Sequence, residues 1–485
     1  MKGGESMSVQ PEFLFGRTVI YYDTGEVTRE NICEILSKVL ETHRKNALEI
    51  DRLYQIFKGN QSIFGKTKTV REEINNRIVV NFANQIVTFK TGYLLGKPIQ
   101  YVSRGEKTVE LSDTVSSEID DLNRYASDCD KAAKDIELAE WFHICGTSYR
   151  LIQSDGTAGK DASPFEIHTL DPRTAFVVYS NEVGHKPMLG VLETLQNDGT
   201  KIYHCYSRNR YFKVSEPFVM PDSILDEQEH YYGRVPIIEY PANNARLGAF
   251  EIVLSLLDAI NAAFSDLADG REQFINALLV IKGADITDEQ FSELRSQGGI
   301  KVPADGDVKY LVSELNQTQN GETINLMIDT MLEIVGMPKR SGTNGGTSDN
   351  GIAVILRDGF ADAEARASDT ERIFKKSENE LLRIALKICN AMRGMTLQLA
   401  SVEPHFTRQN TDNLLAKVQA LTTMLATDKI HPRLAWQLST LVSDPESAYM
   451  ISQEYEEQRL ADEEQRLNAA TVPAHEHENG ADLIE

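Results

Sequence analysis

Residues 322–336 read ETINLMIDTMLEIVG and residues 339–351 read KRSGTNGGTSDNG; a helical pattern then runs from Ile352 without proline until Pro404. The first segment is a short helix, stopped by Gly336 and Pro338. The second is a glycine-rich loop. The third, if helical to Arg393, spans roughly 60 Å at 1.5 Å per residue, about three times an ordinary globular helix. A long strut tied to a short helix by a loop suggests a machine part rather than a catalytic pocket.

The rest of the chain fits a large soluble protein of several domains. It has 485 residues, 41% hydrophobic and 25% charged, with a net charge of -23. That charge argues against a general nucleic-acid binder, which needs a basic surface, and against attraction to anionic membranes. No run approaches the ~18 apolar residues of a spanning helix. The first residues lack the apolar core of a signal peptide, and Met7 offers an alternative start. The five cysteines, Cys33, Cys129, Cys145, Cys205 and Cys389, have no paired spacing. They read as reduced core thiols.

Before the strut, the chain alternates in character. Thr28 is placed to cap a helix bearing Ile32, Ile35, Leu36, Val39 and Leu40. Thr69 and Glu72 form a capping-box pattern ahead of a helix with Ile74, Ile78, Phe82, Ile86, Phe89 and Tyr93 on one face. That helix ends at Gly96-Lys97-Pro98. Another helical region runs from Asp113 to Cys145, broken near Ser127. From Gly146 to Tyr240, short β-branched runs are separated by turn pairs, with a hairpin at Asp198-Gly199.

Residues 248–274 are apolar around most of a helix. Glu251, Ser255, Asp258, Ser265, Asp269 and Glu272 form one narrow polar stripe, with Ala262 filling the gap. A small insert follows: strand NALLVI, helix TDEQFSELRSQ, and strands GIKVP and DVKYLV. Glu322, Asn325, Asp329 and Glu333 put a second acidic stripe on the short helix. Each stripe is either a solvated face or the wall of a channel between subunits, where acids would keep a polyanion from sticking. After Met395 come a strand near Val402–Thr407, short helices, and an acidic end. From Asp444 onward, twelve Asp and Glu face only Arg459 and Arg466 as basic residues. Residues 468–485 have the composition of a disordered tail.

Catalytic motifs are lacking. Phe64-Gly65-Lys66-Thr67 resembles the end of a phosphate loop, but Asn60 stands where its first glycine belongs. His475-Glu476-His477 sits in a polar tail. The loop at 339–351 has no lysine after its last glycine, so it is no phosphate cradle. It reads as a helix–helix linker, or as a loop facing something that moves past it. Lys339 and Arg340 would then touch phosphates, while Gly342, Thr343, Asn344, Gly345, Gly346, Thr347 and Ser348 present a small neutral centre.

The order of parts (apolar helix, α+β insert, short helix, glycine-rich loop, long helix, acidic helical end) resembles the portal protein family of tailed bacteriophages. It is closest to the branch of long non-contractile-tailed phages of Gram-positive hosts. Local stretches carry the resemblance too: NFANQIVTFKTGYLLGKPIQY, GRVPIIEYPANNARLGAFEIVLSLLDAINAAFSD and TDKIHPRLAWQLSTLVSDPESAYMISQEYEEQ. It covers about residues 20–465 and implies an α+β, mainly helical portal-type subunit. Its parts would be an N-terminal arm (1–27), wing (28–247; helical 28–146, β-rich 147–240), stem helix (248–274), clip (275–320), second stem helix (321–337), tunnel loop (338–351), long wing helix (352–394) and crown (395–467). The acidic tail (468–485) follows.

The resemblance further implies a dodecameric ring at one capsid vertex that conducts double-stranded DNA during packaging and ejection. Expected partners are other copies of the chain, the terminase large subunit, head-completion or connector proteins, and major capsid and scaffolding proteins. No cofactor, metal or membrane is implied. The place is the virion, and the host cytoplasm during assembly. On this reading the loop 339–348 faces DNA, and Glu251, Asp258, Asp269, Glu322, Asp329 and Glu333 are the acidic channel or stem residues. The alternative reading is a nucleic-acid-modifying enzyme on a large α+β scaffold.

Overall fold

The computed structural model describes residues 15–23, 26–69, 72–104, 113–159, 161–275, 278–282, 307–311, 317–338, 360–408, 414–427, 429–439, 441–442 and 445–470. The loop residues Lys339 to Ser348, the start of the long helix, the insert helix and its GIKVP strand, and the tail after Ala470 lie outside them.

The described chain begins with β1 (Ile20–Tyr22) and the 26-residue α1 (Ile32–Phe57). Ile32, Ile35, Leu36, Val39 and Leu40 are all buried, as their helical spacing predicts. Thr28 is not the cap, however. Asn31 precedes the helix, and its side chain turns back to accept the Thr28 N–H at 2.8 Å. The next helix, α2 (Phe82–Leu94), starts thirteen residues after the predicted capping box. Its cap is Asn81, whose side chain accepts the Asn84 N–H. Ile74 and Ile78 therefore lie in an extended strap ahead of α2, which docks elsewhere. β2 (Gln100–Ser103), α3 (Asp113–Asp128) and α4 (Lys131–Cys145) follow, with the expected break between the two helices.

At Gly146 the chain turns from helix to sheet. Its φ is +82°, and a Cβ there would lie 2.0 Å from the Arg246 carbonyl oxygen, so only glycine fits. The strands are β3 (Thr147–Ser154), β4 (Phe165–Leu170), β5 (Ala175–Ser180), β6 (Pro187–Leu195), β7 (Lys201–Tyr206), β8 (Arg210–Ser215), β9 (Ile224–Glu229) and β10 (Ile237–Pro241). Six form a sheet in the order β1-β5-β6-β7-β8-β9, and three a second sheet, β10-β3-β4. The Asp198-Gly199 turn joins β6 and β7 as an antiparallel hairpin. β1 arrives from far off in sequence and pairs in parallel with β5, a register that local pattern does not reveal.

After β10, α5 (Leu254–Ile275) leads to β11 (Leu278–Lys282). β11 pairs antiparallel with β12 (Asp307–Leu311), and α6 (Gln317–Val335) returns. The long helix α7 (Phe360–Arg393) ends at Gly394, whose φ is +71°. β13 (Val402–His405) pairs with β2, and α8 (Leu414–Leu425), α9 (Pro432–Ser439) and α10 (Pro445–Ala470) close the chain.

Three apolar cores hold these parts. One sits between α1 and the six-stranded sheet. One joins α3, α4, the smaller sheet and α7. The third gathers α1, α2, α4, α5 and α6 around Phe250, Val253, Leu257, Ile260, Met331 and Val335. All five cysteines are buried and unpaired with one another. Among the described residues, no helix is long and apolar enough to cross a membrane.

Candidate functional site

The two antiparallel helices α5 and α6, and the base of the loop between α6 and α7, hold most of the residues singled out by sequence. The polar stripe of α5 does not face solvent as one surface. Asn261, Ser265 and Asp269, four residues apart, are buried. They accept the backbone N–H groups of Val80 (2.8 Å), Ile78 (2.9 Å) and Asn76 (2.7 Å). Four helical residues advance about 6 Å, and two residues of extended chain advance about 6.6 Å. The side chains of one helix face thus stand in for a strand edge, and the strap of residues 74–80 runs antiparallel along it.

Asp269 is the strongest anchor. It also accepts from Lys66 at 2.9 Å, from Lys68, and from the Asn76 side chain at 2.9 Å. Burial opposes its charge, but the Lys68, Lys66 and Asn76 hydrogen bonds outweigh burial and hold the carboxyl well below its usual range. Lys66 also pairs with Asp266 at 2.8 Å. The lysine of the phosphate-loop look-alike is therefore a strap anchor.

Glu251 is likewise internal, 1% exposed. It accepts Arg17 at 2.6 Å and the N–H groups of Gly16 and Gly248 at 2.9 and 2.8 Å, tying the N-terminal segment to the start of α5. The expectation that Glu251 and Asp269 line a channel is corrected: both are sealed inside the subunit, because each satisfies backbone N–H groups that would otherwise be orphaned. Asp258 is exposed and accepts the Ser62 hydroxyl at 2.6 Å.

The α6 stripe is different. Glu322, Asn325, Asp329 and Glu333 are all exposed, while Ile324, Met331, Leu332 and Val335 face the core. Leu326 and Ile334 are exposed as well, at 67% and 42%.

The loop base is a rigid joint. Gly336 has φ +68°. Its N–H bonds to the Glu333 carbonyl, and the Met337 N–H bonds to the Leu332 carbonyl at 2.8 Å, closing the helix end. Arg366 of α7 lies across the bare Gly336 and donates to the Ile334 carbonyl at 2.8 Å. It also pairs with Asp362 at 3.2 Å. One arginine of α7 therefore ties that helix to the C-terminal end of α6. Lys90 lines a small cavity beside Arg366 and Gly336. Burial, then the charge of Arg366, pushes its ammonium down to about 8.

Farther along, α7 is bolted to β2, α4 and β10 by a buried charge cluster that sequence reasoning missed. Glu378 accepts Tyr101 at 2.7 Å, Tyr240 at 2.8 Å and Lys131 at 2.9 Å. Lys131 and Arg150 both pair with Asp135 at 2.7 Å. Two acids and two bases balance inside the core. Nothing in the local pattern marks Glu378, which sits among ordinary surface charges in sequence.

Among the described residues, no group of three or more His, Cys, Asp or Glu is placed to hold a metal ion. The family described as "Phage portal protein, SPP1 Gp6-like" matches residues 36–469. No curated protein matches the chain. Among solved structures, a chain from "Neck of empty GTA particle computed with C6 symmetry" is similar, with 14% identity over 82% of this chain and 94% of that one, and a TM-score of 0.45. A chain from "Virion of native gene transfer agent (GTA) particle" has 13% identity over 81% and 94%, with a TM-score of 0.42.

Proposed function

The chain belongs to the SPP1 Gp6-like phage portal protein family, and from that membership we propose that it is one subunit of a ring. The ring is a dodecamer at one capsid vertex of the virion and conducts double-stranded DNA during packaging and ejection. The observation that carries this reading is the family match over residues 36–469. The family is structural rather than enzymatic, so the chemistry to explain is passage, not turnover.

Passage needs a wall that DNA does not grip. The exposed carboxylates Glu322, Asp329 and Glu333 on α6 suit that task, since they repel phosphates within a Debye length of about 8–10 Å. The loop 338–351 supplies light contact through Lys339 and Arg340. Its base is fixed by Arg366 on the Ile334 carbonyl. The insert 275–320, whose β11 and β12 extend the α5–α6 pair, is the docking part for the terminase large subunit and later for head-completion proteins. The crown, 395–467, faces the capsid interior, where major capsid and scaffolding proteins meet the ring.

Deleting Gly342 to Ser348 tests the reading. Rings are expected to assemble while packaging of DNA drops severely. Normal packaging would make the loop a passive linker and remove DNA contact from the account.

A further inference from the structure

Each helix of the α5–α6 pair has one open face, and the two differ. On α5, Val253, Leu257 and Ile260 enter the core and Asn261, Ser265 and Asp269 carry the strap. Ile252, Ser255 and Ala259 remain exposed, Ile252 at 49%. On α6 the open face is split. At about 100° per residue, Asp329, Glu322 and Glu333 share an arc of roughly 40°. Leu326, Thr330 and Ile334 fill the adjoining arc of roughly 80°.

We propose that the two arcs of α6 have different occupants: the acidic arc faces the channel, and the Leu326–Thr330–Ile334 arc packs on the Ile252–Ser255–Ala259 face of a second copy of this chain. The inference rests on the ring reading and says which helix faces do what within it.

Two arguments select a second copy as the occupant. The first is height. In a cyclic ring equivalent residues of all copies lie at one level along the axis. Within one subunit α6 touches the turn Glu251–Val253, and Val335 shares a core with Phe250 and Val253. With the α5–α6 pair running along the axis, as the ring reading has it, Ile334 is level with Ile252 in its own copy and in the next. The helices are antiparallel, so eight residues back along α6 (about 12 Å) and seven residues on along α5 (about 10 Å) place Leu326 opposite Ala259.

The second is shape and polarity. Leu326 and Ile334 are large where Ser255 and Ala259 are small, which lets the surfaces interdigitate. The contact is heterologous, one face against a different face, the kind from which a ring is built when the rotation between copies closes. Burying Asp329 or Glu333 in it would strip a charge of water without a partner. The acidic arc is thus left to the water-filled channel.

Cysteine cross-linking tests the assignment, and the buried native cysteines leave a low background. Ile252→Cys and Ile334→Cys are made in separate chains, mixed, assembled and oxidised, so that every cross-link joins two copies. Electron microscopy of the same sample records whether rings form. The expected result is rings with disulfide-linked dimers on a non-reducing gel. Rings without the link, or rings in which Ile252→Cys joins Asp329→Cys instead, overturn the assignment while leaving the ring standing. An absence of rings in the wild-type protein sinks the ring reading itself. As a second arm, Leu326→Glu is expected to shift native mass from ring to monomer with the subunit's melting temperature unchanged. A full-size ring from that variant overturns the proposal.

Discussion

At the scale of the residue, two acids from the two predicted stripes show how sign misleads without surroundings. Asp269 and Asp329 read alike in sequence, yet one is locked to two lysines and a backbone N–H while the other meets water. The difference is half legible: Asn261, Ser265 and Asp269 recur every four residues, but the stripe drawn through Ala262 leaves Asn261 out. What completes them is a strap almost two hundred residues earlier, and no local pattern reports that. Glu378 was not legible at all, since its partners Tyr101, Lys131 and Tyr240 come from three distant elements.

These buried groups set the acid sensitivity of the fold. Burial pushes His43 down to about 4, only partly offset by its bond to the Arg173 carbonyl at 3.1 Å, and burial holds His143 down at about 3. Both imidazoles are neutral when folded and gain a proton when unfolded below about 6.5. Stability therefore falls as pH drops from about 6.5 toward those depressed values. Burial raises Glu378, but Lys131, Arg150 and Tyr101 outweigh it and leave it below 4.5; its contribution is present above that value and is lost as pH falls through the lowered one. Melting temperature is expected to decline between pH 6.5 and 4.5 and more steeply below. A flat profile from pH 7 to 5 would contradict buried neutral histidines. At neutral pH, Glu378→Ala strands Lys131 and Arg150, and a loss of about 3–5 kcal/mol in denaturant unfolding is expected; a loss under 1 kcal/mol would mean the cluster is not closed.

At the scale of the element, the strap and the loop joint are the features that position the rest. The helix expected after Thr69 forms only from Phe82; residues 74–80 are instead extended, because α5 offers them side-chain acceptors in the register of a strand. Asp269→Ala removes the end of that ladder and leaves Lys66, Lys68 and the Asn76 N–H without it. Trypsin is then expected to cut at Lys66, Lys68 or Arg77 at least tenfold faster than in the wild type, and equal rates would show that the strap holds without its charge anchor. The helix stop at Gly336 was read correctly from the glycine, but Arg366 lying over it was not. Gly336→Ala forces a side chain into a left-handed conformation, at a cost of about 1–2 kcal/mol, and displaces Arg366 from the Ile334 carbonyl. A lower melting temperature is the expected result; an unchanged one would remove the joint from the account.

At the scale of the whole molecule, the order of parts was the most legible feature. Hydrophobic period and turn residues mark α3, α4, the β6–β7 hairpin and the α5–β11–β12–α6 excursion almost where they occur. Long-range pairings such as β1 with β5, or β2 with β13, were not, because short strands carry little pattern and their partners are far away in sequence. Surroundings divide the two acidic stripes: Glu251 and Asp269 before and on α5 are buried and hold the subunit together, whereas Glu322, Asp329 and Glu333 on α6 are exposed. Replacing Asp329 and Glu333 with lysine is accordingly expected to slow packaging several-fold while rings still form, and unchanged packaging kinetics would place both residues away from DNA.

The most direct measurement is an electron-microscopy reconstruction of the purified protein, resolved well enough to see helices. The account predicts a closed ring of copies around a central channel. The Glu322–Asp329–Glu333 face of α6 would be on the channel wall, and the strap of residues 74–80 on the side of α5 away from the lumen. A monomer or dimer at micromolar concentration, or a ring whose channel is lined by other elements, would contradict it.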